Sequence, residues 1–144
     1  MGDNQKRIEL LLTASWGVAF IATLGSLFFS EIRGFIPCEL CWAQRIFMYP
    51  MAITLAIATV KKDATQAYYA LPLAVIGAGI STYHYLLQKV PALQETSNIC
   101  GIVPCNAQYI NYAGFITIPF LALTAFILII ILLVYVIKLS KEPN

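Results

Sequence analysis

Residues 115–137 read FITIPFLALTAFILIIILLVYVI, with no Asp, Glu, Lys or Arg among them. A helix needs about 20 apolar residues to cross roughly 30 Å of hydrocarbon. The lower half of this run, FILIIILLVYVI, is bulky on every side and has no polar face to show water. Three similar runs precede it, at about 10–29, 42–60 and 68–87. Backbone polar groups in lipid must be satisfied within the segment, so the runs are expected to be helices. The predicted fold is an all-α integral membrane protein, a four-transmembrane-helix bundle. A single membrane domain over residues 1–144 accounts for the whole chain, with outer loops at about 30–41 and 88–114.

Composition agrees. The chain is 60% hydrophobic and 11% charged, with a mean hydropathy of +0.77. Soluble domains average about 45–50% apolar and about 25% charged. A net charge of +2 and no like-charge block beyond two residues give no footprint for nucleic acid. Lys6 and Arg7 before the first run resemble a signal peptide. The run exceeds the roughly 7–15 residues of a signal core and lacks an A-x-A site, so it reads as a permanent span.

Basic residues set the expected orientation. Lys6, Arg7, Lys61, Lys62, Lys138 and Lys141 fall on the side of the termini, and Arg33, Arg45 and Lys89 on the other. Six against three predicts cytoplasmic termini, and the expected location is the plasma membrane. Trp42, Tyr83, Tyr85, Tyr109 and Tyr112 fit the outer interface, and Tyr68, Tyr69 and Tyr135 the inner one. Pro72 and Pro119 are expected in first turns, where a missing N–H costs nothing. Pro50 should free the carbonyl of Ile46 and kink the second helix. Small residues four apart (Ala70, Ala74, Ala78 and Thr82; Ala14, Val18, Ala22 and Ser26) read as packing stripes.

The chemistry sits in IPCELCWAQRIFMYP, residues 36–50. Cys38 and Cys41 stand as C-x2-C, and Cys100 and Cys105 as C-x4-C, all in or beside the outer loops. Disulfides persist outside the cytoplasm. Four cysteines allow three pairings, and the spacings favour two local ones. Rings this small stabilise by only roughly 2 kcal/mol, so exchange suits them better than stapling. C-x-x-C at a helix start favours thiolate. Zinc held by the two pairs is the alternative, although such sites belong to reducing compartments.

Arg45 shares a helical face with Cys41 and can stabilise its thiolate or an oxyanion on a bound ring. The plain alternative is an arginine reaching for lipid headgroups. Gln44 beside it can donate an amide hydrogen bond. His84 lies about 16 residues into the third helix, roughly 24 Å up, at a depth similar to Arg45. It is either an interfacial histidine or a third wall, with Cys41 and Arg45, of a site for a flat, lipid-soluble, redox-active ring. Oxidising a dithiol releases two electrons. The chain has no haem, flavin or nicotinamide fingerprint, so a membrane quinone is the simplest acceptor.

PCELCWAQR, with Cys38, Cys41 and Arg45 on a C-x-x-C-x-x-x-R pattern, resembles the DsbB/BdbC family of quinone-dependent membrane thiol oxidases. TYHYLLQ, residues 82–88, resembles the family's segment at the end of the third span and places His84 on its histidine. The resemblance covers nearly the whole chain, and the 144-residue length is nearest the BdbC branch. It implies a reduced DsbA/BdbD-like thioredoxin-fold partner that attacks the Cys100–Cys105 disulfide at Cys100. Cys105 then exchanges with the Cys38–Cys41 pair through a Cys38–Cys105 bridge, and Cys41 passes electrons to quinone. It implies menaquinone rather than ubiquinone, and Arg45, Gln44 and His84 as quinone-binding residues. The chain departs from the family in the close spacing of its second pair, and in Gln44 where some members have glutamate. Two rival readings are a vitamin-K-epoxide-reductase-like quinone reductase, whose C-x-x-C is expected late in the chain, and a non-enzymatic four-span zinc-binding or assembly protein.

Overall fold

The computed structural model describes residues 2–95 and 113–142. Cys100, Cys105, Tyr109 and Tyr112 lie outside these described residues. Helix α1 spans Asp3–Leu27 and closes in a π-helical turn, Phe28–Ile32; α2 spans Glu39–Lys61, α3 Gln66–Lys89, the short α4 Pro91–Gln94, and α5 Ile118–Lys141. Among the described residues, four helices (α1 with its π turn, α2, α3 and α5) are long and apolar enough to cross a membrane. The protein is therefore all-α, with the form of a four-helix membrane bundle.

Each long helix packs against two others: α1 against α2 and α5, and α3 against α2 and α5. The bundle is a ring in the order α1, α2, α3, α5. Leu12, Met51, Leu55, Phe126, Ile129, Leu133 and Val136 fill its centre, all with no exposure. Ala67, Ala70 and Ala74 line the buried face of α3, and small residues allow helix axes to approach closely. Ile21, Ile46, Ile53, Val60, Val75, Leu128 and Val134 stay exposed around the outside. Continuous apolar cover of that kind marks a lipid-facing surface.

The connections explain the helix ends. After the π turn, Arg33 N–H donates to Phe28 O and Phe35 N–H to Phe29 O. Gly34 turns the chain at φ +69°, a conformation that favours glycine. Lys62 closes α2 in the left-handed region at φ 55°, and the Asp63 Oδ1 accepts from Thr65 N–H at 2.9 Å to begin α3. Pro91 pushes Val90 into extended geometry, φ −102° and ψ 112°, which ends α3.

Two expectations need correction. Pro72 is not in a first turn: α3 begins at Gln66, earlier than the apolar run, because the Asp63–Thr65 turn starts the helix among polar residues. Pro72 is thus inside the helix, where its ring removes a bond to the Tyr68 carbonyl. The small-residue stripe on α3 also runs differently. The buried residues are Ala67, Ala70, Ala74, Gly77, Ser81, His84, Leu87 and Gln88, while Thr82 is exposed. A strict spacing of four drifts about 40° per step around a helix of 3.6 residues per turn. Pro119 stands in the first turn of α5, and α2 continues through Pro50.

Candidate active site: the cysteine pair at the start of α2

Cys38 is the N-cap of α2, with extended backbone at ψ 175°, and Cys41 lies in the first helical turn. The Cys38 carbonyl accepts from Trp42 N–H at 3.0 Å, so the helix starts at the cysteine itself. Both cysteines are free thiols, and their sulfurs lie 3.4 Å apart. The amides of the first turn have no helical acceptor, and they present partial positive charge to Cys38.

The two sulfurs meet different surroundings. Cys38 is 6% exposed and packs with Leu87 of α3, Leu40 and Leu93 of α4. His84 Nε2 lies 3.6 Å from Cys38 Sγ. The Cys41 thiol donating to Cys38 Sγ lowers the Cys38 pKa to about 4; burial opposes this, and the His84 ring assists it. The Cys41 thiol and the helix start thus both favour a thiolate at Cys38.

Cys41 lies on the wall of a cavity of about 450 Å³ between α1, α2 and α5. Gln44, Arg45, Met48 and Tyr49 extend that wall, and the other side is mostly aliphatic and aromatic. Ile21, Leu121 and Leu128 line it and are themselves exposed on the apolar surface. Arg45 Nη2 donates to the Ser26 carbonyl at 3.3 Å, and its guanidinium lies over the Trp42 ring at 5.2 Å. Tyr49 Oη donates to Ser26 Oγ at 3.1 Å. These bonds turn Arg45 toward α1 and hold its charge at the cavity.

His84 is not on that wall. It is 1% exposed and bonds Gln44 Nε2 through Nδ1 at 3.1 Å. The structure therefore brings Cys41, Arg45 and Gln44 together around the cavity, and groups His84 with Cys38 on the other side of α2. Ser26 and Tyr49, which orient Arg45, were missed as site residues. Tyr49 is one turn beyond Arg45, and that spacing was the available signal. Nothing in the sequence ties Ser26 to them.

Cys38 Sγ, Cys41 Sγ and a His84 ring nitrogen lie within 4.8 Å of one another. Two thiolates and an imidazole are a donor set that suits zinc. The arrangement can thus do two things: exchange a disulfide with a thiolate poised at a helix start, or hold a soft cation when reduced.

Comparison with known proteins decides the general class. The family profile described as "Disulfide bond formation protein DsbB" matches residues 6–136. The chain is 58% identical over 138 residues to "Probable disulfide formation protein C 1" of Bacillus anthracis, covering 96% of this chain and 99% of that protein. It is 62% identical over 122 residues to "Disulfide bond formation protein C" of Bacillus subtilis (strain 168), covering 85% and 88%. It is 50% identical over 133 residues to "Probable disulfide formation protein C" of Halalkalibacterium halodurans, covering 92% and 97%. No solved structure matches the chain.

Proposed function

The chain belongs to the DsbB family of disulfide bond formation proteins, and from that premise we propose that it reoxidises an extracytoplasmic DsbA-like thioredoxin-fold protein and delivers the electrons to a membrane quinone. That it is a multi-pass membrane thiol–disulfide oxidoreductase follows from the family and the four apolar helices. The finer reading rests on one observation: an apolar cavity of about 450 Å³ has the Cys41 thiol and the Arg45 guanidinium on its wall.

The residues present fit a quinone. The volume lies within the roughly 300–1,000 Å³ of small-molecule sites, which are mostly apolar with a few placed polar groups. A quinone bound there would accept two electrons and two protons and leave as quinol. Arg45, held by Ser26 and Trp42, offers positive charge to an oxygen that gains negative charge. The Cys38 thiolate forms the new bond to Cys41 Sγ, 3.4 Å away, when the pair closes. Leu93 and Leu87 keep Cys38 from bulk water, so exchange with another thiol requires α4 to yield.

Cys100 and Cys105 are assigned the first exchange with the partner, in keeping with the family's role. Menaquinone is the proposed acceptor, and the termini are cytoplasmic on the basis of the charge distribution. The test mixes purified protein with a reduced thioredoxin-fold protein and menaquinone under anaerobic conditions, and follows quinol formation. Cys38→Ala, Cys41→Ala, Cys100→Ala and Cys105→Ala should each lower turnover by at least about 10²-fold. Full turnover in the Cys100 and Cys105 variants would defeat the two-pair relay. The Cys38, Cys41 and His84 cluster supports a second reading, a zinc-binding protein. Stoichiometric zinc in freshly purified protein, with no quinol formed, would favour it.

A further inference from the structure

Two sulfurs and a ring nitrogen meet where α2 starts against α3. Cys38 Sγ and Cys41 Sγ are 3.4 Å apart, and His84 Nε2 is 3.6 Å from Cys38 Sγ. Zinc takes thiolate sulfur at about 2.3 Å and imidazole nitrogen at about 2.0–2.1 Å, in a tetrahedron. The edges of such a tetrahedron are about 3.8 Å between two sulfurs and about 3.6 Å between sulfur and nitrogen. Two of the three edges are thus within about 0.4 Å of the required lengths. The third, at 4.8 Å or less, has at most about 1.2 Å to close.

The surroundings suit that ion. The Gln44 side-chain amide holds His84 Nδ1 at 3.1 Å, so the ring presents Nε2 to the sulfurs. A bond at the second ring nitrogen is the usual support of a metal-binding histidine. Two thiolates cancel the charge of a divalent cation. A neutral complex is what this place tolerates, with Cys38 at 6% and His84 at 1% exposure. The nearby cations are turned elsewhere: Arg45 donates to the Ser26 carbonyl and Lys89 to the Gly114 carbonyl. Among the described residues no carboxylate joins the cluster, so Mg²⁺ and Ca²⁺, which take oxygen, lack their ligands here. Cys38 is covered by Leu93 of α4, a helix of four residues. The same yielding of α4 that admits a thiol admits the ion.

We infer that the reduced pair and His84 form a regulatory site for zinc: the ion binds reversibly, bridges Cys38 and Cys41, and stops the pair from closing to a disulfide. The inference rests on the reading of Cys38–Cys41 as the redox pair. The ion is here an inhibitor of the oxidase and not its resident cofactor. Binding is ligand exchange: two Zn–S bonds and one Zn–N bond form, the thiol proton of Cys41 leaves for solvent, and no electron moves. A water completes the tetrahedron. Each sulfur then shares its electron pair with the metal, and neither passes electrons to an acceptor. A chelator that removes the ion restores the dithiol. A disulfide offers no thiolate, so the oxidised protein does not bind zinc.

The test uses the full chain with Cys100→Ser and Cys105→Ser, reduced, in detergent, with zinc, cadmium or magnesium chloride alone. Zinc should bind at one ion per chain, cadmium should give the ultraviolet thiolate-to-cadmium band, and magnesium should do neither. X-ray absorption at the zinc edge should show two sulfur neighbours and an imidazole. Cys38→Ser, Cys41→Ser and His84→Gln should each weaken zinc binding by at least about tenfold, and His84→Cys should restore cadmium binding. With free zinc at about ten times its Kd, closure of the Cys38–Cys41 disulfide by oxidised glutathione should slow about tenfold. A chelator should return the parent rate. Absence of stoichiometric zinc in the reduced protein would overturn the inference. So would zinc bound with the closure rate unchanged, or bound equally by the oxidised protein. If His84→Gln does not fold, judged by circular dichroism, a parent zinc shell without imidazole would overturn it equally. Quinol formation is assayed separately without metal, and its failure would count against the quinone reading and leave the zinc result standing.

Discussion

Cys38 and Cys41 are three residues apart, yet one faces His84 and the other a cavity. Gln44 and Arg45 flank Cys41 on either side because successive helical residues are about 100° apart. Gln44 turns to α3 and Arg45 to α1. This division has a measurable consequence. With the Cys38 pKa at about 4, the reduced pair holds one proton above that pH. Oxidation then releases one proton with two electrons, so the potential should fall by about 30 mV per pH unit between about pH 5 and 7, rather than about 59 mV. Equilibration with glutathione across that range reads the slope. The sign for stability is that of a depressed acid. Stabilisation of the folded, reduced form is complete above the free-thiol pKa and is lost as pH falls through about 4. Arg45→Lys tests the other side of Cys41. Lysine lacks the planar fork that bonds Ser26 and lies over Trp42. The KM for quinone should rise roughly tenfold, with the Cys38 alkylation curve unchanged.

Among the elements, α3 and α5 show how closely the bundle is packed. A Cβ built at Gly77 would overlap the Cε1 and Cζ carbons of Phe126, whose ring is fully buried. Gly77→Ala should destabilise by about 1–3 kcal/mol, the usual cost of overpacking. Gly79 has nothing within 4 Å of its Cβ position, so Gly79→Ala should be neutral or mildly stabilising. Thermal unfolding in detergent separates the two, and Phe126→Leu in the Gly77→Ala background should recover part of the loss. The four helices were legible as apolar runs because a span must be apolar along its whole length. Their inward faces were less so. In lipid, inward and outward residues are both apolar, and the pattern that marks a buried face in water is weak. Phe126, Ile129, Leu133 and Val136 form the centre of the bundle, yet they sit in a run that is bulky all round. Helix ends were misjudged for a related reason: α1 continues through Asp3–Glu9 and α3 begins at Gln66, where charge and turn chemistry rather than hydropathy set the limit.

For the whole molecule, the two ends of the bundle differ in basic charge. Lys6, Arg7, Lys61, Lys62, Lys138 and Lys141 gather at the end of the bundle away from Cys38 and Cys41. If that end is cytoplasmic, a membrane-impermeant maleimide applied to intact, reduced cells should label the cysteines. A cysteine introduced at Lys62 should react only after permeabilisation. The reverse pattern would place the sulfur chemistry on the wrong side of the membrane for the proposed partner. Read alone, the sequence determined the helical membrane class, the four spans, the C-x-x-C beside an arginine and the family resemblance, because hydropathy and short spacing are local properties. Only the tertiary structure decided that His84 lies beside Cys38 rather than on the cavity wall, that Gln44 bonds His84, and that Arg45 meets Ser26 and Tyr49. The pairings between helices join residues about 19 to 46 positions apart, and such distant neighbours are chosen by how helices rotate and pack against one another, which no local pattern encodes.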